Sequence, residues 1–273
     1  MKENELEFKV EKKDILSEIL KKRFSKRFYR FLKSSNANVM VNGEAVKWYK
    51  IVDEESIVKV IFVTPEKEIL WPKANKLPKI MLETDHYLII NKEPNLLTIP
   101  TKGNPESLYQ QIVAYLGNQD IHILNRLDKE TSGLVLVAKD RYAASLLEPT
   151  HKHIIRKYLC KVEGKVVDSG TISNYIDKEE NSNRRYVSSS GKLAISHYKV
   201  LSYSDEESLL EFVLDTGRTH QIRVHTKHMG HPIIGDKLYG GKENPVLCLT
   251  SYSISFIDPF SLKEIHYSIE KEW

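Results

Sequence analysis

A short polar turn followed by an unbroken apolar run, at residues 124–140, constrains this chain more than any other stretch. The turn reads LNRLDKETSG, and the run after it, 134–138, is rich in valine and leucine. This length and composition predict a strand with both faces buried. A loop that feeds a core strand can hold a reactive side chain rigidly at a cleft edge, so Asp128 is a candidate catalytic acid. On composition alone, an ordinary solvated turn is the simpler interpretation.

The whole chain has the composition of a globular protein. Its 273 residues leave room for one small and one larger domain, with 41% apolar and 29% charged residues. No stretch is apolar over the length that a membrane span requires, and the first residues are charged, unlike a signal peptide. The two cysteines, Cys160 and Cys248, form no C-x-x-C pair and predict no disulfide. These features predict a cytoplasmic protein.

Positive charge is concentrated near the N-terminus. Residues 1–79 hold 18 Lys and Arg against 12 Asp and Glu, and residues 21–33 contain seven basic residues and no acid. Apolar residues between 16 and 32 recur near helical spacing, which predicts helices with a basic outer face. Such a face is typical of nucleic-acid binding, although an ordinary solvated helix fits the segment equally well. The candidate RNA-binding residues are Lys22, Arg23, Lys26 and Arg27.

A hairpin signal follows these helices. Residues 38–46 read NVMVNGEAV, in which Asn-Gly separates two apolar segments, and residues 56–63 predict a further strand. Helices followed by a V-x-V-N-G hairpin resemble the S4-type RNA-binding module, with a degenerate helical part. We therefore predict a small S4-like α/β module at 1–70, a proline-containing linker at 71–79 and a second domain at 80–273.

The second domain contains many strands and few helices. Strands are predicted on both sides of an acidic turn at 83–86, and helices at 107–116 and 141–147 and after a turn at 216–217. Further strands are predicted at 157–162, 171–176, 194–201 and 209–215, with a polar loop at 178–192. The fold class predicted is α+β, with a mixed, largely antiparallel sheet.

Common catalytic motifs are absent from the sequence. There is no Walker A loop, G-x-G-x-x-G, G-x-S-x-G or H-E-x-x-H, and two isolated cysteines cannot build the zinc site of a base deaminase. Four histidines between 220 and 231 are interleaved with Arg218, Arg223 and Lys227, whose positive charge opposes a bound cation. We therefore predict no metal site.

Three segments of the second domain resemble the RluA-type RNA pseudouridine synthases. NRLDKETSGLVLVAKD is similar to the family signature H-R-L-D-x-x-T-S-G-L, and RKYLCKVEG is similar to K-x-Y-x-A-x-V-x-G. LDTGRTHQIRVHTKHMGHPIIGDKLYG resembles T-G-R-x-H-Q-I-R-V-H followed by G-H-P-I-x-G-D-x-x-Y-G almost throughout. The segment IMLETDHYLIINKEPNLLTIP resembles the strand pair that opens the family's catalytic domain. The resemblance covers roughly residues 80–260, in the family's motif order.

The resemblance implies isomerisation of uridine to pseudouridine in RNA, without a cofactor or metal. It assigns Asp128 as the nucleophile, Tyr158 as the tyrosine that stacks on uracil, and Arg223 as the partner that keeps Asp128 charged. It also implies that Arg126 fills the gap left by a flipped uridine and that Leu249 forms an apolar wall. Three further residues are expected to shape the pocket or contact the RNA backbone, with structural support as the alternative: Arg218, His220 and Gln221. Ribosomal RNA is the favoured partner, transfer RNA is possible, and the protein is expected to be a monomer.

Some positions depart from the family pattern. Asn125 stands where the family usually has His, Thr250-Ser251 replaces His-Ala, and Asp258 occupies another usual His position. Two other functions stay open on the residues alone. One is a non-catalytic RNA-binding or ribosome-assembly protein with the same fold, which the set Asp128, Tyr158 and Arg223 argues against. The other is a nucleoside hydrolase, which would need paired carboxylates or a metal.

Overall fold

The computed structural model describes residues 2–64, 74, 76–101, 106–117, 120–148, 154–271 and 273. Within these ranges a smaller sheet lies between residues 2 and 64, and the larger sheet lies between residues 79 and 268. None of the helices in the described ranges is long and apolar enough to cross a membrane. Much of the predicted linker at 71–79, including Pro72, lies outside the described residues, as does Pro65.

The N-terminal unit is a four-stranded antiparallel sheet covered by two helices. The strand order is β1-β6-β3-β4, and β1 pairs with β6 along its whole length. The Asn-Gly hairpin is confirmed, since Asn42 and Gly43 both have positive φ, at 50° and 86°, between β3 and β4. The elements are β1 (Lys2–Lys9), β2 (Asp14–Ile15), α1 (Leu16–Arg23), α2 (Lys26–Ser34), β3 (Asn38–Val41), β4 (Glu44–Ala45), β5 (Ile51–Val52) and β6 (Ile57–Thr64).

Two separate helices form where the sequence predicted helical structure. Phe24 is extended, and Ser25 begins α2 by accepting a hydrogen bond from the Phe28 amide on its hydroxyl. The buried side chains of the pair include Leu20, Phe28 and Leu32, which face the small sheet. The apolar spacing therefore predicted the buried face correctly, while the serine cap sets the break between the helices.

The larger sheet follows the N-terminal unit in the chain. Its path is β13-β12-β14-β15-β11-β16-β10-β8-β7, with β17 beside β16 and β9 beside β10. The elements are β7 (Lys79–Glu83), β8 (Tyr87–Lys92), α3 (Leu108–Leu116), β9 (His122–Ile123), β10 (Ser132–Ala138), α4 (Arg141–Leu147), β11 (Ile155–Glu163), β12 (Gly170–Lys178), β13 (Arg185–Ser188), β14 (Lys192–Tyr203), β15 (Glu207–Leu214), α5 (Gln221–His228), β16 (Leu249–Ile257) and β17 (Glu264–Ser268).

Every described strand pair of this sheet is antiparallel except β10 with β16. The α+β fold class with a mixed, largely antiparallel sheet is therefore confirmed. One local expectation was wrong: the polar segment 178–192 is not all loop, because β13 pairs with β12 there as an edge strand. Its polar composition is compatible with a strand because it sits at a sheet edge, where one face and one side remain in solvent.

The parallel pair brings the polar turn against the middle of the sheet. β10 is buried at all seven positions, as the apolar run predicted. Gly133 lies opposite Ser251 of β16, with φ at 114°, and a Cβ there would stand 2.3 Å from the Ser251 carbonyl oxygen. Only glycine permits this approach. The start of β10, and the loop before it, are thereby fixed against β16.

The N-terminal unit packs against α4 of the larger unit. The amide of Ser25 donates to the carbonyl of Ser145 at 3.1 Å, and Leu146 joins the hydrophobic core of the N-terminal unit. The ring of Tyr142 meets the edge of Phe24 at 6.3 Å, and the Arg141 guanidinium lies over the Phe31 ring at 4.3 Å. These contacts join the two units through α4.

Candidate active site

The loop that carries Asp128 is anchored by side chains on both sides of it. The Thr98 hydroxyl donates to the carbonyl of Leu127 at 2.6 Å and accepts from its amide at 3.2 Å. Asn125 is 5% exposed, donates to the carbonyl of Leu134 at 3.1 Å and accepts from the Leu136 amide at 2.8 Å. Asn125 therefore fastens the loop to β10 and points into the protein.

Lys92 supports the same loop from beneath. It is 0% exposed at the end of β8, and its ammonium donates to three carbonyls, those of Glu93 (2.9 Å), Leu96 (2.8 Å) and Lys129 (3.1 Å). Burial lowers the pKa of Lys92 to about 7, opposed by the negative charges of Asp128 and Glu130. A titratable group with a strongly shifted pKa thus lies directly under the candidate nucleophile.

Two opposing effects act on the Asp128 carboxyl. Burial raises its pKa, while the positive charges of His220 and Arg223 lower it, and the net shift is upward. Burial also lowers the pKa of His220, so Arg223 is the cation that remains at neutral pH. A raised pKa makes the ionised carboxylate more basic, which suits a nucleophile that must attack carbon.

Arg223 was expected to pair with Asp128, and the structure gives it different hydrogen-bond partners. Its Nε and Nη2 donate to the two carboxylate oxygens of Asp236 at 2.8 and 2.7 Å, and Nη1 donates to Glu130 at 3.2 Å. Arg223 is 3% exposed and Asp236 is 1% exposed, so this is a buried bidentate ion pair. Arg223 therefore acts on Asp128 through charge, while Asp236 holds its guanidinium in place.

Tyr158 and Leu249 share one face of the sheet beside the Asp128 loop. Tyr158 lies opposite Ser251, and Cys160 lies opposite Leu249, in the pairing of β11 with β16. Since alternate residues of a strand point to the same side, all four side chains project together. Tyr158 is 9% exposed, and burial raises the pKa of its hydroxyl, with the negative charge of Asp128 adding to the rise. The phenol is therefore protonated at neutral pH and lies within the electrostatic range of Asp128.

His220 and Gln221 begin α5, and they play different parts. His220 adopts a left-handed conformation with φ at 58°, and its Nδ1 hydrogen bonds with the Tyr239 hydroxyl at 3.0 Å. A non-glycine residue in this region is strained, and such strain is concentrated at functional sites. Its charge is the largest opposing influence on the pKa of Asp128, which places His220 at the site.

The structure does not support the expectation that Gln221 contacts substrate. Its oxygen accepts from the Thr216 hydroxyl and the Arg218 amide, and its nitrogen donates to the Ile195 carbonyl and the Ser196 hydroxyl. All four hydrogen-bonding positions of the amide are therefore used inside the protein. Gln221 is 3% exposed and fixes the start of α5 to β14. Arg218 is exposed, but its Nε donates to the Leu193 carbonyl at 2.9 Å, which ties it to the same strand.

Arg126 differs from these anchored residues. It is exposed on the Asp128 loop, and within the described part of the chain its side chain makes no hydrogen bond or ion pair. A guanidinium at the site edge that is not engaged by the protein is available for a nucleic acid. The remaining histidines of the 220–231 segment do not converge: His225 bonds Ser196 and His231 bonds the Glu163 carbonyl. Among the described residues, no three potential ligands are grouped as a metal site would need.

The four predicted RNA-binding residues are not equivalent. Lys22 forms an ion pair with Asp14 at 2.7 Å, and the Arg23 guanidinium lies over the Phe8 ring at 4.3 Å. Lys26 and Arg27 are exposed on α2, and in the part of the chain that the structure covers neither joins an ion pair. Two further exposed cations, Arg30 and Lys33, continue along this helix.

Sequence reasoning missed the residues that support the site. Lys92, Thr98, Asp236 and Tyr239 all lie in segments that resemble the family, yet none carried a predicted role. Lys92 left one signal, a lysine that ends a strand with no other charged residue, YLIINK. Asp236 left none, since its partner is 13 residues away in sequence and becomes visible only once α5 is placed.

Comparison with known proteins agrees with this geometry. The profile described as RNA pseudouridylate synthase matches residues 86–228. The uncharacterized RNA pseudouridine synthase YjbO of Bacillus subtilis (strain 168) is 33% identical over 256 residues, covering 89% of this chain and 90% of that protein. Ribosomal large subunit pseudouridine synthase D of Xylella fastidiosa (strain Temecula1 / ATCC 700964) is 30% identical over 263 residues, covering 93% and 78%.

A solved structure shares the fold. The human RNA pseudouridylate synthase domain containing 1 superposes with a TM-score of 0.61 at 21% identity, covering 74% of this chain and 86% of that one. With the extent of the sequence matches, the chain belongs to the RluA-type RNA pseudouridine synthase family. It is accordingly an RNA pseudouridine synthase, an isomerase, as the three sequence segments predicted.

Proposed function

We propose that Asp128 is the nucleophile with which this enzyme converts uridine to pseudouridine in structured RNA. The observation that carries the proposal is the placement of the Asp128 carboxylate, whose pKa is raised by burial, within the electrostatic range of Arg223, His220 and Tyr158. A carboxylate held in an apolar, positively charged site stabilises or captures a cationic sugar carbon as the glycosidic bond breaks.

The reaction needs no group beyond the protein and the RNA. The Asp128 carboxylate bonds to C1′ as the bond from C1′ to N1 of uracil breaks, or it stabilises the cationic sugar. The detached uracil rotates and a bond forms from C5 to C1′, releasing Asp128, after which C5 loses its proton and N1 gains one. Tyr158 supplies a ring against the base, and we assign its hydroxyl to relay the C5 proton, donating its own hydrogen onward as it accepts that one. Leu249, on the same sheet face, is the apolar wall.

The target uridine must leave its base stack to reach Asp128. Extrusion costs roughly a few kcal/mol, which a side chain can offset by occupying the vacated space. We assign this role to Arg126, because it is exposed two residues before Asp128 and its guanidinium has no hydrogen bond or ion pair with the residues that the structure describes. Its planar guanidinium can stack on the exposed neighbouring bases.

Tritium release tests the proposed reaction at Asp128 against the two alternative functions. RNA labelled at C5 of uridine should release tritium with the wild type, while Asp128→Ala should lower the rate by roughly a thousandfold or more. The matched control, Asp85→Asn, removes an exposed carboxylate from the same domain and should keep full activity. Free uracil among the products would identify a hydrolase. Binding without turnover on any cellular RNA would identify a non-catalytic RNA-binding or ribosome-assembly protein.

The substrate class we propose is ribosomal RNA, with transfer RNA as the second candidate. Support comes from relatives named ribosomal large subunit pseudouridine synthase D, which are 30 to 35% identical to this chain. Pseudouridine mapping of ribosomal and transfer RNA, in cells with and without the gene, decides between them. We further propose a monomer in the cytoplasm, consistent with two buried free cysteines, and size-exclusion chromatography with light scattering tests the monomer.

We also propose that residues 1–70 form an S4-like RNA-docking domain, joined by 71–79 to a catalytic domain at 80–273. The proposal rests on the helix pair and Asn-Gly hairpin of the N-terminal unit and on exposed cations of α2. Lys26 and Arg27 are retained from the sequence prediction, whereas Lys22 and Arg23 are already engaged by Asp14 and Phe8.

Charge neutralisation tests the RNA-binding role of Lys26 and Arg27. Lys26→Gln with Arg27→Gln should weaken RNA binding and flatten its salt dependence, because two phosphate contacts are lost. Lys12→Gln with Lys13→Gln is the matched control in the same unit. Unchanged activity on full-length RNA after deletion of residues 1–70 would contradict the docking role.

A further inference from the structure

A basic cavity lies beside the active site, on the far side of Tyr239 from His220. It encloses about 310 Å³ between the hairpin of β12 and β13 and the exposed side of α5. The hairpin contributes Arg184 and Arg185, and α5 contributes Lys227 and His228. Tyr186, Val187, Val224 and Tyr239 add aromatic and aliphatic side chains to the lining, which also includes Glu179.

The charges of this cavity are unbalanced. Three permanent cations, Arg184, Arg185 and Lys227, face one carboxylate, that of Glu179. Within the described residues none of these four enters an ion pair, and the Nε of Arg185 is buried with no hydrogen-bond partner. Bringing like charges together without partners costs free energy that a bound anion recovers. The cavity therefore fits a negatively charged ligand.

Tyr239 connects the cavity to the active site. Its ring lies under the Arg184 guanidinium at 5.7 Å and the Arg223 guanidinium at 5.3 Å. Its hydroxyl accepts the Arg185 amide hydrogen at 2.9 Å and hydrogen bonds with His220 Nδ1 at 3.0 Å. One buried side chain thus contacts both the basic hairpin and a residue of the active site. The cavity is therefore joined to His220 of the active site through a single side chain, that of Tyr239.

We propose that this cavity binds one nucleotide of the substrate RNA, next to the flipped uridine along the strand. A nucleotide has an anionic phosphate and a planar base. The cavity has cationic side chains at its rim and aromatic and aliphatic side chains at its floor, and these match the two parts. The phosphodiester lies against Arg184 and Lys227, and the base lies towards Val187 and Tyr239. Because consecutive nucleotides are covalently linked, a uridine at Asp128 brings its neighbour to this cavity. The inference rests on the proposed uridine site at Asp128.

Removing the rim charges tests the proposal. Arg184→Gln with Lys227→Gln should raise KM for RNA about tenfold and leave kcat within about twofold, since ground-state and transition-state binding weaken equally. The slope of log affinity against log salt should fall by about 1.4, the value for two phosphate contacts on a single strand. Lys178→Gln with Lys237→Gln removes two exposed charges nearby, outside the cavity lining, and should change neither quantity. A double variant whose KM and salt slope equal those of this control would overturn the proposal.

Two further measurements distinguish a failure of the cavity proposal from a failure of the proposed reaction. The salt slope is also measured by fluorescence anisotropy on Asp128→Ala, which binds RNA without turnover. If the wild type released no tritium, the proposed reaction would be wrong. The comparison of salt slopes would still test whether the cavity binds RNA. Uridine 5′-monophosphate serves as a competitor. If the double variant lost binding of this mononucleotide but kept the wild-type KM for RNA, the assignment to the RNA strand would fall.

Discussion

Replacing Lys92 with methionine tests the support beneath the Asp128 loop and has a distinctive pH dependence. Unfolded lysine keeps its proton up to its ordinary pKa of 10.5, whereas folded Lys92 releases its proton at about 7. Between these values the unfolded chain binds more protons, so Lys92 makes the protein more stable as pH rises. Below about 7 both states are protonated and the full cost of burying the charge is present.

The size of the effect follows from the shift. One pKa unit corresponds to about 1.4 kcal/mol, so the Lys92 contribution should rise by up to about 3 kcal/mol between pH 7 and 9. Methionine fills a similar volume and does not titrate, but it leaves three carbonyls without their donor. The free energy of unfolding of the wild type, minus that of Lys92→Met, should therefore increase with pH, and tritium release should fall at every pH.

Urea unfolding at pH 7, 8 and 9 measures this difference. Lys129→Met is the control, because Lys129 is an exposed lysine on the same loop. Its difference from the wild type should stay constant across the same range. If the difference in free energy of unfolding between the wild type and Lys92→Met were equally constant, the argument that burial lowers the Lys92 pKa would be refuted.

Three further substitutions address the other anchors. Asp236→Asn should destabilise the fold by about 3 to 5 kcal/mol, measured by urea unfolding, because it leaves the buried Arg223 without its bidentate partner; a loss below about 1 kcal/mol would contradict this. Asn125→His should keep the RNA preference of the wild type in tritium-release assays on separate RNA classes, since residue 125 faces β10; a changed preference would show that it reaches substrate. Gly133→Ala should lower the melting temperature sharply, by calorimetry, because its Cβ would overlap the Ser251 carbonyl; an unchanged melting temperature would contradict the close strand approach.

The sequence predicted the elements whose signals are local. The apolar run before Ala138 had the length and composition of a buried strand, and Asn42-Gly43 carried its own turn chemistry. Helix α4 was predicted at 141–147, the residues it occupies, and the structure shows its local signal, since Asp140 caps it and accepts the Ala143 amide hydrogen. In each case the information lies within a few residues of the element it forms.

Relations between distant segments could not be predicted in this way. Arg223 was assigned to Asp128 through the family resemblance, while its actual hydrogen-bond partner, Asp236, depends on how the turn at 235–240 folds back on α5. Gln221 was a candidate contact through the family resemblance, but Thr216, Arg218 and two residues of β14 use all of its hydrogen bonds. The edge strand β13 was not predicted, because a polar segment has the composition of a loop even when it forms a strand at a sheet edge. Pairing choices of this kind are made by tertiary packing.

The packing of the N-terminal unit on α4 fixes the distance between helix α2 and the active site. Ser25 begins the basic helix α2, and its amide is bonded to Ser145 of the larger unit. The separation between the cations of α2 and the carboxylate of Asp128 is consequently set by packed side chains. Under the docking role proposed for α2, an RNA gains both contacts only when its target uridine and a second phosphate-bearing segment lie that same distance apart, and the second contact then forms at high effective concentration. We propose that the protein selects among identical uridines by this separation.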